Sequence, residues 1–320
     1  MSSPEDSRRG RAQSAAQVRV GTRGSALARS QTSLVTAAIV GELGRKVETV
    51  EIVTAGDRST AALTQIGGTG VFVSALRDAL LADEIDVAVH SYKDLPTAPA
   101  DDLLIAAVPA REDPRDVLVA RDGLTLGELP PGATVGTGSP RRAAQLRALG
   151  LGLEVVPIRG NVDTRLRKVA DGELDAVVLA SAGLARLDRL EEVTEVLDPL
   201  QLLPAPAQGA LAVETRAADP LAAELSALDA ADARAAVVAE RALLAALEAG
   251  CTAPVGGLAE VALGENGPEI FIRGSVTAAD GSDAVRLSAT GPVTDAAAIG
   301  RRLAADLLAA GADSLLGSKP

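Results

Sequence analysis

The segment Val135-Gly136-Thr137-Gly138-Ser139 matches an earlier segment of the chain, Val20-Gly21-Thr22-Arg23-Gly24-Ser25. Each follows a short β-rich run and opens a helical pattern, as expected of a strand, a tight turn and a helix. A second match pairs Glu84-Ile85-Asp86-Val87-Ala88-Val89 with Glu173-Leu174-Asp175-Ala176-Val177-Val178. Strand and helix patterns alternate between these segments, so the repeats predict two similar α/β lobes.

The remaining patterns predict how the chain is divided. Strands of the second lobe are expected at 117–120, 134–136, 155–158 and 176–180, and a strand at 210–214 returns to the first lobe after a proline-rich crossover at 203–209. A helix at 233–247, three strands near 257–262, 269–276 and 284–289, and a helix at 294–309 form a small third domain with a mainly antiparallel three-stranded sheet. The predicted divisions are a disordered tail (1–16), domain 1 (17–109 plus about 208–228), domain 2 (110–205) and domain 3 (229–320).

Composition excludes several classes of protein. Of the 320 residues 47% are hydrophobic, and the net charge of −12 argues against nucleic acid or an anionic membrane as the main partner. No stretch is long and apolar enough to span a bilayer. The first sixteen residues lack the apolar core of a secretory signal, and there is a single cysteine, so we expect a cytoplasmic protein.

Arginines are concentrated in turns that suit anions. The chain has four lysines and 27 arginines. A strand-to-helix turn offers free backbone N–H groups, and an arginine fork binds carboxylate or phosphate through two donors. Ordinary capping beside solvated arginines would explain any one turn equally well. Three together favour a cleft for a molecule with several carboxylates or phosphates: 21–25, 136–142 and 159–165.

Two further segments carry groups with chemical potential. His90-Ser91-Tyr92-Lys93-Asp94-Leu95-Pro96 follows a predicted strand, where ligand crevices of open α/β sheets lie. Asp94 is either a surface partner of Lys93 or the carboxylate of an arginine-lined site that stabilises a cation or moves a proton. Cys251, in a glycine-rich turn after a helix, is either a small buried hydrophobe or a reactive thiol. A Cys251/His90 hydrolase pair is a further alternative, although no sequence signature supports it.

Seven motifs in chain order carry a resemblance to a known family: Thr22-Arg23-Gly24-Ser25-Ala26-Leu27-Ala28, Val89-His90-Ser91-Tyr92-Lys93-Asp94-Leu95-Pro96, Arg111-Glu112-Asp113-Pro114-Arg115-Asp116, Gly136-Thr137-Gly138-Ser139-Pro140-Arg141-Arg142, Arg159-Gly160-Asn161-Val162-Asp163-Thr164-Arg165-Leu166, Leu203-Pro204-Ala205-Pro206-Ala207-Gln208-Gly209-Ala210 and Gly250-Cys251-Thr252-Ala253-Pro254-Val255-Gly256. Together they resemble the porphobilinogen deaminases, also called hydroxymethylbilane synthases, from about Val18 to the C-terminal helix. The resemblance implies three α/β domains, of which the first two are built like periplasmic-binding-protein lobes.

The resemblance also implies a transferase of porphyrin, tetrapyrrole and heme biosynthesis. Such an enzyme joins four porphobilinogen molecules head to tail, with loss of ammonia, onto a dipyrromethane cofactor and releases hydroxymethylbilane by hydrolysis. The cofactor would be attached to Cys251 through a thioether. A monomer is implied, with porphobilinogen as its small-molecule partner and uroporphyrinogen III synthase as the recipient of its product; no metal site is predicted.

Matching positions give each site residue an implied role. Asp94 is the implied catalytic carboxylate. Besides Cys251, the implied cofactor-binding residues are Lys93, Thr137, Ser139, Arg141, Arg142 and Gln208. The implied substrate-binding residues are Arg23, Ser25, Arg159, Arg165 and Arg186.

The chain departs from the family pattern at four positions. Gln65 and Thr69 stand where many members have lysine, Gly138 replaces a frequent serine, and Tyr92 replaces a frequent methionine. A solute-binding protein for a polycarboxylate or phosphate would also explain two lobes and arginine-bearing turns. It would leave the third domain, Cys251 and Asp94 without a role.

Overall fold

The structure is a computed structural model that describes residues 17–52, 70–248, 253–265 and 267–316. The predicted tail at 1–16, the loop with Gln65 and Thr69, and Cys251 lie outside the described residues. The strands are β1 (Val18–Thr22), β2 (Val47–Glu51), β3 (Val87–Ser91), β4 (Leu103–Ala107), β5 (Asp116–Ala120), β6 (Thr134–Thr137), β7 (Glu154–Pro157), β8 (Ala176–Ala180), β9 (Glu195–Val196), β10 (Leu211–Arg216), β11 (Val255–Gly264), β12 (Gly267–Thr277) and β13 (Ala284–Pro292). The α-helices are α1 (Ala26–Leu43), α2 (Gly70–Leu81), α3 (Pro140–Ala148), α4 (Val162–Ala170), α5 (Ser181–Ala185), α6 (Leu221–Leu225), α7 (Ala231–Ala246) and α8 (Ala296–Ala309).

Two five-stranded sheets have corresponding strand orders. The first lobe has the order β2-β1-β3-β10-β4, and the second lobe has the order β7-β6-β8-β5-β9. In each lobe the first three strands are parallel, and an antiparallel strand follows them, β10 in the first lobe and β5 in the second. The third sheet, β11-β12-β13, is antiparallel and packs against α7 and α8. The predicted fold class is therefore confirmed, and the predicted strands agree with the observed ones to within a few residues.

The two sequence repeats contact each other in the same way in both lobes. A Cβ added to Gly21 would lie 2.4 Å from Cδ1 of Ile85, and one added to Gly136 would lie 2.7 Å from Cδ1 of Leu174. Each glycine is thus required by the apolar residue of the second repeat, because that side chain fills the space over the strand. Asp86 and Asp175, next along the chain, accept hydrogen bonds from the backbone N–H of Arg19 (2.8 Å) and Thr134 (2.6 Å).

Strand β5 is buried on both faces of the second sheet. Leu118 and Ala120 belong to the core on one side, and Val117 and Val119 belong to the core on the other. This alternation explains its continuous apolar sequence, which is typical of a strand covered on both sides. It also places Asp116, the first residue of β5, in the interior between the lobes. None of the described helices combines the length and hydropathy that crossing a membrane requires.

Candidate active site

Lys93 and Asp94 lie in a short 3-10 helix (Tyr92–Asp94) that begins directly after β3. The N–H of Tyr92 donates to the carbonyl of Ala210 at 3.0 Å, and the N–H of Leu95 donates to the carbonyl of Tyr92 at 3.2 Å. Tyr92 and Leu95 are buried, whereas Lys93 and Asp94 are half-buried. The two buried neighbours therefore hold the Lys93-Asp94 pair in place at the carboxyl end of the strand.

Gln208 joins the first lobe to the second. Lys93 Nζ donates to Gln208 Oε1 at 3.2 Å, and Gln208 Nε2 donates to Asp116 Oδ1 and to the carbonyl of Pro114, both at 2.8 Å. Gln208 is only 1% exposed and lies in the crossover that leads from β9 back to β10. Its amide therefore connects the lysine of one lobe to the buried carboxylate of the other.

Asp116 is completely buried between two arginines. Arg141 donates to Asp116 Oδ2 at 2.8 Å, and Arg142 donates to Oδ1 through Nη2 at 2.7 Å and Nε at 3.0 Å. Burial alone would raise the pKa of Asp116, but the charges of Arg141 and Arg142, with hydrogen bonds from Arg142 and Gln208, hold it well below its ordinary value. Asp116, Arg141 and Arg142 form the Asp116 cluster, in which two guanidinium groups share one carboxylate. The cluster therefore has an excess of positive charge.

Within the described part of the chain, the donors of the two arginines are not all used. Arg141 Nη1 donates to the carbonyl of Leu203 at 2.6 Å, and Arg142 Nη1 donates to the carbonyl of Val178 at 3.0 Å. Nε of Arg141 has no hydrogen-bond partner among the described residues, and Arg141 is only 3% exposed. Burial lowers the pKa of Arg141, since desolvation outweighs the attraction of Asp116. A buried donor without an acceptor is costly, which favours an anionic ligand at this position.

The same excess of positive charge affects the pKa of Lys93. Desolvation is the main cause that lowers the pKa of Lys93 to about 8, and it outweighs the attraction of Asp94. Arg142 and Arg141 repel the lysine further, while Asp116 offsets part of that repulsion. A lysine with this pKa is partly deprotonated near pH 8, so its charge depends on which anions lie beside it.

The turns before α3 and α4 present hydroxyl, amide and guanidinium groups. Ser139 caps α3 and accepts from the N–H of Arg142 at 3.4 Å, while the buried Thr137 hydroxyl accepts from the N–H of Ser139 at 3.2 Å. Arg165 Nε donates to the carbonyl of Gly160 at 2.9 Å, and desolvation, with repulsion from Arg142, lowers its pKa. Arg165 therefore lies within electrostatic reach of the Asp116 cluster. Arg159, in the same turn, is exposed.

Gly138 fits a close approach between the turn and Ile158, the residue after β7. A Cβ added there would lie 2.8 Å from the carbonyl oxygen of Ile158 and 3.7 Å from Nη2 of Arg165. A serine could not be accommodated without a shift of that backbone. The departure at this position is thus matched by the local structure.

The remaining predicted substrate residues are Arg23 and Ser25, which precede α1, and Arg186, which follows α5 in the second lobe. Ser25 caps α1 by accepting from the N–H of Ala28 at 3.2 Å, and Arg23 is half-buried in the turn before it. Arg186 Nη2 donates to the carbonyl of Gly209 at 2.6 Å, and its buried Nε has no hydrogen-bond partner in the segments that the structure describes. Desolvation lowers the pKa of Arg186, partly offset by Glu112.

The structure brings together Lys93, Asp94, Arg141, Arg142, Arg165 and Gln208, and it places Thr137 and Ser139 in the adjoining turn. Sequence reasoning missed Asp116, Glu240 and Arg241 as members or neighbours of the site. The available signals were an acidic residue opening an apolar strand and a charged pair in the apolar second half of α7. No metal-binding group of three His, Cys, Asp or Glu side chains is found in the part of the chain that the structure describes.

His90 is buried and forms a hydrogen bond with Glu214. Its Nε2 lies 3.1 Å from Glu214 Oε2, and Arg77 binds the same carboxylate through Nε and Nη2 at 2.8–3.1 Å. All three residues lie within the first lobe, on α2, β3 and β10. A satisfied buried histidine explains this position without a catalytic role.

Two family models match the chain. One is described as porphobilinogen deaminase, dipyromethane cofactor binding domain, and matches residues 18–224; the other, porphobilinogen deaminase, C-terminal domain, matches residues 234–309. A porphobilinogen deaminase of Mycobacterium tuberculosis is 59% identical over 305 residues, which cover 93% of this chain and 98% of the relative. One of Nocardia farcinica is 60% identical over 305 residues, covering 93% of this chain and 88% of the relative. Among solved structures, a periplasmic substrate-binding protein of an ABC transporter from Coxiella burnetii aligns with 66% of this chain and 91% of its own, with 13% identity and a TM-score of 0.42.

Proposed function

The chain belongs to the porphobilinogen deaminase family, and on that premise we propose which of its residues carry the reaction. The enzyme joins four porphobilinogen molecules head to tail, with loss of ammonia, onto a dipyrromethane cofactor and releases hydroxymethylbilane by hydrolysis. This is a transferase reaction of tetrapyrrole biosynthesis.

One observation carries the assignment of the binding residues. Arg141 and Arg142 share the single carboxylate of Asp116, and Lys93 and Arg165 lie close enough to feel their charge. The cluster therefore needs further anions, and pyrrole rings that each bear two carboxylates supply them. Nε of Arg141 is buried and finds no acceptor among the residues described. Together with this donor, the excess charge fits the dipyrromethane group.

We assign the side chains as follows. Arg141, Arg142, Lys93, Gln208, Thr137 and Ser139 hold the carboxylates of the cofactor, and Arg23, Ser25, Arg159, Arg165 and Arg186 hold those of the substrate rings. The dipyrromethane, tethered to Cys251, supplies the pyrrole carbon to which the first substrate is joined. A tether makes each condensation effectively intramolecular, because it fixes the reacting ring before the substrate arrives.

Asp94 is the proposed catalytic group. Loss of ammonia leaves a cationic substrate, which a carboxylate nearby stabilises far better than water does in a desolvated site. The same carboxylate accepts the proton released when the next ring is joined. Its position beside the cations of the cluster, at the end of β3, supports this role.

We further propose that the tail at 1–16 is disordered and that the domains comprise 17–109 plus about 208–228, 110–205 and 229–320. The boundary between the two family models, at 224–234, supports the last division. A cytoplasmic monomer that passes its product to uroporphyrinogen III synthase completes the proposal.

Intact-protein mass spectrometry tests the assignment of Cys251. We expect the purified enzyme to exceed the mass of its sequence by one dipyrromethane, with the added mass on the peptide that contains Cys251. A bare mass in fully active enzyme would overturn the assignment.

The Asp94→Ala variant tests the catalytic role. It should keep the cofactor mass but lose tetrapyrrole formation by at least about 100-fold, within the range that general acid–base groups contribute. Asp101→Ala, which removes an exposed carboxylate a few residues further on, is the matched control and should remain active. Near-normal turnover by Asp94→Ala would refute the role.

A further inference from the structure

Arg241 reaches from α7 to the segment that carries Lys93 and Asp94. Its Nη2 donates to the carbonyl of Pro96 at 2.6 Å, and its Nη1 donates to the carbonyl of Leu95 at 3.0 Å, with a longer contact to that of Tyr92 at 3.4 Å. One guanidinium group thus binds backbone oxygens on both sides of Asp94. We propose that Arg241 is a positioning residue that fixes the Asp94 carboxylate for catalysis.

The backbone of this segment depends on such a donor. The carbonyl of Tyr92 accepts one hydrogen bond within the 3-10 helix, from the N–H of Leu95. The carbonyls of Leu95 and Pro96 follow the end of that helix, and no sheet partner is present for them in the described strands. Because unpaired backbone oxygens in a partly buried site are costly, the guanidinium stabilises this conformation of the segment.

The ring of Tyr92 makes a second contact with the same group. The Cζ atom of Arg241 lies 4.5 Å from the centre of the Tyr92 ring, a cation–π distance. Tyr92 is one of the departures from the family pattern, so this chain supplies a ring face at the residue two positions before Asp94. The ring and the carbonyls together define the position of the guanidinium from two directions.

Packing along α7 aligns the helix with the segment. Val237 is completely buried in one cluster with Tyr92 and Leu95, and Arg241 lies four residues later, on the same face of the helix. The helix ends at Ala246, and Cys251 follows five residues further on. One helix therefore supports the segment with Asp94 and leads into the segment with the proposed cofactor anchor. The inference rests on the proposed role of Asp94.

Arg241→Gln and Arg241→Lys test the inference. We expect Arg241→Gln to keep its cofactor mass and a KM for porphobilinogen within about threefold, while kcat falls about 10- to 100-fold, as expected when a reacting group is displaced by roughly 1 Å. Arg241→Lys should recover part of kcat, because its ammonium group keeps the cation–π contact and reaches one carbonyl. If Arg241→Gln folds poorly, an intermediate kcat for Arg241→Lys still supports the inference.

Arg234→Gln is the matched control on the same helix. Arg234 donates to the carbonyls of Ile105 and Ala106 at 3.2 and 3.1 Å and pairs with Asp229, so it also ties α7 to the first lobe. The control should lose comparable stability in urea unfolding but keep its kcat. An equal loss of kcat in both variants would show a general packing effect and overturn the inference.

A double-mutant cycle separates this inference from the proposed function. In the Asp94→Ala background, Arg241→Gln should leave the residual rate unchanged, because the group it positions is gone. A further loss in that background would overturn the inference, as would normal kcat in Arg241→Gln alone while Asp94→Ala is inactive. Normal turnover by Asp94→Ala would instead refute the proposed role of Asp94, whatever Arg241→Gln does.

Discussion

At the scale of single residues, Asp116 orders the cations around it. It accepts hydrogen bonds from Arg141, Arg142 and Gln208, and through Gln208 it is connected to Lys93. A buried carboxylate with this many donors holds the guanidinium planes in fixed orientations. The arginines can therefore offer their remaining donors to a ligand without first being ordered by it.

Asp116→Asn should strongly destabilise the protein. The variant removes the carboxylate that two buried guanidinium groups share, so we expect the free energy of unfolding in urea to fall by about 3–5 kcal/mol. Asp113→Asn is the control: Asp113 pairs with Arg115 near the surface, and its loss should cost only about 0–1 kcal/mol.

The pH dependence of Asp116→Asn has a defined sign. The folded-state pKa of Asp116 is lowered, so its contribution is present above the ordinary carboxylate pKa of about 3.9 and is lost as the pH falls. The stability difference between the wild type and Asp116→Asn should therefore shrink on acidification. A difference of the same size as that of Asp113→Asn at neutral pH would contradict the prediction.

Lys93 should give the activity an alkaline limb. Its pKa is lowered to about 8, so the ammonium charge that we assign to a cofactor carboxylate is lost as the pH rises through this value. The carboxylates of the cofactor raise this pKa in the loaded enzyme, so turnover should fall at a pH above about 8. Lys93→Arg should move this limb to still higher pH because a guanidinium stays protonated. Lys168→Arg, at a half-buried lysine paired with Glu173, should leave the profile unchanged. Identical profiles for Lys93→Arg and the wild type would contradict the assignment.

At the scale of elements, α7 and α8 are in direct backbone contact. A Cβ added to Gly300 of α8 would lie 2.1 Å from the carbonyl oxygen of Ala239 in α7. Only glycine permits this approach. Ala239 directly precedes Glu240 and Arg241, so this contact fixes the part of α7 that carries them. The same helix leads to Cys251.

Gly300→Ala should destabilise the third domain although alanine is the better helix former. Overpacking costs about 1–3 kcal/mol, which outweighs the gain of roughly 0.5–1 kcal/mol that alanine brings to a helix. Gly41→Ala in α1 is the control: nothing lies within 4 Å of the added Cβ, so that variant should be stabilised. Thermal unfolding of both variants measures the difference, and shifts of equal sign would contradict the packing explanation.

The sequence allowed the elements to be predicted better than the site. The strands of the second lobe were predictable because apolar runs and glycine-rich turns are local signals, and the repeat at Gly21 and Gly136 showed that two lobes are alike. The partners of Asp116 and Glu240 were not predictable. Arg141 is 25 residues from Asp116, and Arg111 is 129 residues from Glu240, so only the tertiary fold brings these charges together. The arginine-bearing turns pointed to an anion, but the motifs, and not the charges, indicated which one.

At the scale of the whole molecule, Glu240 of α7 joins three parts of the chain. It binds Arg111 at the entry to the second lobe through both carboxylate oxygens, at 2.7 and 2.9 Å. It also accepts from the N–H of Ala207, in the return crossover, at 2.5 Å, and from that of Ala259 in β11 at 2.7 Å. Both connections between the lobes are therefore fixed to the third domain at one buried carboxylate.

Glu240→Gln should uncouple the third domain from the lobes. The neutral amide cannot compensate Arg111 or accept at both oxygens, so we expect a loss of about 3–5 kcal/mol in the free energy of unfolding. Amide hydrogen exchange in β11–β13 should become faster than in the sheets of the lobes. Glu224→Gln, at an exposed pair with Arg45, should change neither quantity, and a uniform increase in exchange throughout the molecule would contradict the proposed uncoupling.

The position of β10 between β3 and β4 has a consequence for biosynthesis on the ribosome. The sheet of the first lobe cannot close until residues 211–216 have emerged, whereas the second lobe has all five strands within residues 116–196. At about 5–20 residues per second, translation of residues 108–210 takes on the order of 5–20 s. The lobe that is synthesised second can therefore complete its sheet first. Until then β3 presents an open hydrogen-bonding edge in the nascent chain, where chaperones or neighbouring polypeptides can bind.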